Sequence, residues 1–113
     1  MNDTTTPRVT MAAIEDEIAS EFYFTAADGV RGESEMGTSP AGRARCLEQV
    51  TFCVLILRNN TKIVGINYGS IDPAQHNVEQ GRAAARAAAI DQIWPLMGFR
   101  LRDALAVVAD KAD

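Results

Sequence analysis

Two arginines four residues apart, Arg82 and Arg86, interrupt an alanine-rich run, GRAAARAAAIDQIWPL, over residues 81–96. Alanine is the strongest helix former, so the run reads as helix, and the spacing stacks both guanidinium groups on one face. A guanidinium offers a planar fork of donors that matches a phosphate. Upstream, Asn67, Tyr68 and His76 flank the step from a strand into this helix. Backbone N–H groups at a helix start attract anions, and an aromatic ring can hold a purine by stacking. Arg100 and Arg102 add a second cationic pair downstream. Asn67, Tyr68, His76, Arg82, Arg86, Arg100 and Arg102 are therefore the candidate residues for a compact, phosphorylated, purine-containing ligand. The plainer alternative is a solvated helix whose arginines pair with Glu48, Glu79 and Asp91.

Catalytic chemistry finds no such support. His76 is the one histidine, which leaves no histidine cluster for a metal. No serine or cysteine sits in a nucleophile-elbow or triad pattern, and there is neither a Walker-type loop nor a dinucleotide fingerprint. Gly65 and Gly69 stand isolated in a strand, and Glu15, Asp16 and Glu17 read as the solvated face of a helix. The expectation is a binding protein, with no catalytic residue, no cofactor and no metal.

The elements that must position these groups follow from periodicity. Thr10 can cap a first helix over residues 11–20, with Met11, Ile14, Ile18 and Phe22 on one face. A polar turn is expected at Asp28-Gly29, and residues 31–45 read as a mobile loop. VTFCVLILR and TKIVGINYG form a β-hairpin about Asn59-Asn60. Ser70 or Asp72 then caps a long helix over residues 73–93, with Pro73 in its first turn and Pro95 ending it. FRLRDALAVVADK forms a short final helix, with Leu101, Leu105 and Val108 inward. Phe52, Trp94 and Phe99 read as core. The fold class is α+β: an N-terminal helix, a small antiparallel sheet, a long alanine-rich helix and a short C-terminal helix. One domain spans residues 1–113, with 1–9 as a tail.

At 113 residues with 47% hydrophobic content, much of it alanine, the chain has little bulk for a core. That favours a homo-oligomer with a dimer as its unit, another protomer's backbone approaching over the alanines of residues 83–89. No run nears the roughly eighteen apolar residues of a membrane span, and the start MNDTTTPRVT lacks a signal peptide's features. A cytoplasmic protein is expected, its two cysteines reduced and Cys53 a small core residue. The net charge of −4 argues against nucleic acid as partner. From Arg43 to Arg102, however, eight basic residues face four acidic ones, a local balance that suits a small anion.

YFTAADGV, TFCVLILRN, DPA…EQGR and IWPLMGFRLR, in this order, resemble a group of small phage and prophage proteins that includes the Thoeris anti-defence 1 proteins. The likeness runs from about Thr10 to Leu105. It implies a sponge that binds cyclic ADP-ribose isomers made by TIR-domain immune enzymes without degrading them, in the host bacterial cytoplasm. Some members are described as hexamers that also hold cyclic oligonucleotides. The family's stretch after Asp-Pro reads approximately Ala-Asn-Phe-Asp, whereas here it is Ala74-Gln75-His76-Asn77, and GINYGSIDP departs as well, a difference that bears on ligand choice. The alternative is an oligomeric phage interaction protein that blocks a host protein through the same cationic surface.

Overall fold

The computed structural model describes residues 7–33 and 45–112. Thr10 caps α1 (Met11–Glu17), its hydroxyl accepting from the Ala13 N–H at 3.1 Å. The chain turns extended at Ile18 and becomes β1 (Ile18–Thr25). The helix expected to reach Ser20 therefore stops three residues early. Phe22 and Phe24 share one face of the strand while Tyr23 takes the other, an alternation of two that helical spacing had hidden.

Thr25 and Asp28 cap each other at the start of α2 (Ala26–Glu33): the Asp28 N–H donates to Thr25 Oγ1 at 3.0 Å, and the Thr25 N–H to Asp28 Oδ2 at 2.9 Å. This reciprocal cap turns the expected Asp28-Gly29 turn into the opening of a helix. Of the expected mobile loop, residues 31–33 complete α2, Arg45 opens a short 3₁₀ turn (Arg45–Gln49), and 34–44 lie outside the described residues.

β2 (Thr51–Leu57) and β3 (Lys62–Asn67) form the expected hairpin. Asn60 takes φ 70°, and the Asn59 carboxamide accepts from the Thr61 N–H at 3.1 Å, which closes the turn. With β1 the result is a three-stranded antiparallel sheet in the order β1-β2-β3.

A 3₁₀ turn (Pro73–Gln75) capped by Asp72 precedes α3, which runs unbroken from Val78 to Ala112. The α-helix thus begins later than expected, and neither Pro95 nor Gly98 ends it. Pro95 forfeits the bond to the Asp91 carbonyl, but both residues are exposed, so water can take that carbonyl while helical residues on either side hold the geometry.

The core lies between one sheet face and the first half of α3: Ile14, Cys53, Leu55, Leu57, Ile63, Ala85, Ala89, Ile90 and Ile93. Val9, from the expected tail, packs against it. The alanines have a specific purpose here. A Cβ built on Gly65 would lie 2.1 Å from the Ala85 carbonyl oxygen and 2.4 Å from the Ala89 nitrogen, so the backbones of β3 and α3 approach as only glycine and alanine allow. At Ala85 and Ala89 the close neighbour is the chain's own β3. Three expected core aromatics lie elsewhere: Phe52 is half-buried on the opposite sheet face, while Trp94 and Phe99 are exposed. Leu101 is half-buried and Leu105 and Val108 are exposed, because α3 continues past the sheet that would cover them.

Candidate functional site

Where β3 gives way to α3, the chain builds a cleft of about 250 Å³. Asn67 Oδ1 accepts from the Gly69 N–H at 3.0 Å, and Gly69 takes φ 94°, a left-handed step that suits glycine. The Ser70 N–H then donates to Gln49 Oε1 at 3.3 Å. Asn77 caps α3, its side chain accepting from the Gln80 N–H at 3.0 Å. Gly81 forms part of the floor: a Cβ there would stand 3.1 Å from Thr51 Oγ1 and 3.4 Å from His76 Cε1. Asn67, Ser70, His76, Asn77 and Gln80 therefore converge on one space. They bring amides, a hydroxyl and an imidazole, groups that hydrogen-bond a sugar or a base edge. Ligand sites usually enclose about 300–1,000 Å³, so this cleft by itself falls just short of that range.

The arginines belong to a different surface. Arg86 Nη1 and Nη2 donate to Glu15 Oε2 and Oε1 at 3.0 and 2.7 Å, and Nε donates to Glu21 Oε1 at 3.0 Å. These hydrogen bonds hold both glutamates below the usual carboxylate range; the Tyr23 hydroxyl, donating to Glu21 Oε1 at 2.8 Å, assists at Glu21. Arg86 is pushed above its ordinary value in turn, first by Glu15. Burial, and then the bond to Glu21, raise the Tyr23 phenol. Arg82 stands 5.4 Å above the Tyr23 ring centroid, a cation–π contact, and pairs with no carboxylate among the described residues. Beside Arg86 runs a groove of about 370 Å³ whose walls include Met11, Ala87 and Trp94.

The chain matches the phage protein (N4 Gp49/phage Sf6 gene 66) family over residues 9–105. It belongs to that family. No curated protein and no solved structure matches it. The matched span of this phage-family chain contains the cleft, the arginine cluster and every candidate residue.

Within one protomer the candidates form three groups. Asn67 and His76 line the cleft, with Tyr68 exposed at its edge. Arg82 and Arg86 lie over β1. Arg100 and Arg102 lie about 27–30 Å farther along α3 from Arg82, at 1.5 Å per residue. Arg100 pairs with Glu17 at 3.1 Å, and Arg102 is exposed. Arg86 and Arg100 thus draw their acidic partners from α1 and β1, none of them among Glu48, Glu79 and Asp91. Sequence reading missed Ser70 as a lining residue, together with Asn77 and Gln80. The spacing of Asn77, Gln80 and Gly81, a cap followed one turn later by its own face, was the available signal.

Proposed function

We propose that this phage-family protein sequesters cyclic nucleotide immune signals, cyclic ADP-ribose isomers foremost and cyclic oligonucleotides as a second class, without hydrolysing them. It does so in the host bacterial cytoplasm as a homo-oligomer with a dimer unit. The observation that carries this reading is the hydrogen-bonding cleft at the start of α3, together with Arg82, which lies over β1 and pairs with no carboxylate among the described residues. The cleft suits ribose and base, and a guanidinium left without a carboxylate suits phosphate. Since the cleft by itself falls short of the usual ligand-site volume, enclosure is assigned to a neighbouring protomer.

A sponge must outcompete an immune receptor, which calls for roughly nanomolar affinity, about −12 kcal/mol. The test is to incubate the protein with a cyclic ADP-ribose isomer, remove unbound ligand, heat-denature the protein and analyse what is released. Intact ligand in stoichiometric amount is expected. Recovery of a hydrolysis product overturns the non-enzymatic reading, and no recovery overturns sequestration of this ligand. Arg82→Ala is expected to weaken retention by about 1.5–3 kcal/mol, the range for a hydrogen bond to a charged group.

A further inference from the structure

Away from the cleft, the groove between α1 and α3 carries groups that the proposed function leaves unused. Its volume of about 370 Å³ falls within the usual range of ligand sites, about 300–1,000 Å³. Ala83, Ala87, Ile90 and Trp94 follow one another along α3 at spacings of four, three and four, a single helical face, and Met11 of α1 completes the apolar floor. Trp94 is 37% exposed, so its indole stands open to a ligand. Asp91, one turn before it, also lines the groove, and its carboxylate makes no ion pair or hydrogen bond among the described residues. The backbone adds a second acceptor at the same residue. Pro95 has no N–H to give the Asp91 carbonyl, and helix carbonyls point toward the C-terminal end, here toward the turn that carries Trp94.

We infer that this groove is a second binding site and that it takes a small primary ammonium with an apolar body. Charge selects a cation. Arg86, on the groove wall, commits its Nε, Nη1 and Nη2 donors to Glu15 and Glu21, so two carboxylates outweigh one guanidinium there, and Asp91 adds a further negative charge. Arg82 lies over Tyr23 and is not part of the groove wall. Geometry selects the ammonium among cations. Its three N–H bonds can serve the Asp91 carboxylate and the Asp91 carbonyl together, while its charge rests against the Trp94 ring, the best of the aromatic side chains for a cation. The body, an alkyl chain or an aryl ring, then lies along Ala87 and Ile90. Such a groove repels the phosphorylated ligand proposed for the cleft, so the two sites stand or fall separately.

Trp94 is the chain's single tryptophan, so indole fluorescence reports on this groove alone. The probe is hexylammonium, with hexanol and hexanoate presenting the same body without charge and with the opposite charge. Ligand-observed NMR follows each titration alongside the fluorescence. Hexylammonium should saturate the site with a dissociation constant of about 1 mM, in keeping with so small a ligand, and hexanoate should not bind. Asp91→Asn keeps the helix and the indole and should raise that constant about fivefold, as for a solvent-exposed ion pair. Pro95→Ala restores an N–H that claims the Asp91 carbonyl. It should weaken hexylammonium about threefold and leave hexyltrimethylammonium, which donates no hydrogen bond, unchanged. Far-UV circular dichroism checks that both variants fold, and if one does not, the other decides. No response by either method at about 10 mM hexylammonium overturns the inference. So does equal binding of hexanol or hexanoate, an unchanged constant in Asp91→Asn, or a Pro95→Ala effect that is the same for both ammonium ligands.

Discussion

The two halves of α3 use opposite residues to opposite effect. Residues 78–93 carry six alanines and bury one face, at Gly81, Ala85, Ala89, Ile90 and Ile93, whereas residues 94–112 carry Phe99, Leu105, Val107 and Val108 and leave them exposed. Phe99 is 68% exposed while Ala85 and Ala89 are fully covered. Side-chain size is thus a poor guide to burial in this helix, because coverage depends on what the backbone passes over. The first half lies against Gly65, where a bare glycine on β3 facing alanines on α3 lets backbones touch and bury area by proximity. The second half has run beyond the sheet.

The difference can be broken most forcefully at Gly65. Gly65→Ala puts a methyl carbon against the backbone atoms of Ala85 and Ala89, which cannot rotate away. The expected loss exceeds about 3 kcal/mol, the upper end for overpacking, and urea unfolding followed by circular dichroism measures it. Ile93→Ala, at the last fully buried position before the helix leaves the sheet, is expected to cost about 3 kcal/mol in the same assay through the cavity it opens.

Arg86→Ala should cost less, about 1 kcal/mol, because its partners Glu15 and Glu21 are partly solvated. The pH dependence identifies the cause. Folding holds both carboxyls below the ordinary value of 4.5, so the unfolded chain binds their protons more tightly than the native state. The contribution is therefore present above pH 4.5 and lost as pH falls through the depressed native values. The wild-type and Arg86→Ala stability curves should differ at pH 7 and converge in acid; a constant gap would place the role of Arg86 in packing.

The smallest effect belongs to the second half of the helix. Leu105→Ala is expected to change stability by less than about 0.5 kcal/mol, as for a surface position. A loss near 2 kcal/mol would mean that this stretch is covered as firmly as the first.

How far the chain can be read locally differs from element to element. Thr10 as a cap, the Asn59-Asn60 turn, β2, β3 and the helicity of the alanine run all follow from residue types within a few positions, because caps, turns and propensity act over one turn of chain. The reciprocal cap of α2 was also written locally, in TAAD, but the neighbouring Gly29 read as a turn. The tertiary structure alone decided that Ile18–Thr25 is a strand, since its partner β2 begins beyond α2 and the segment that follows. It also decided that Asn67 and His76 face the same cleft as Asn77 and Gln80, and that the chain's own β3 covers Ala85 and Ala89. Arg86 is the sharpest instance. Its helical position was legible, but its partners lie 65 and 71 residues away, at Glu21 and Glu15. Whether a guanidinium meets a carboxylate or remains open to a phosphate depends on such distant pairings, which exist only once the sheet has brought α1 and β1 beneath α3.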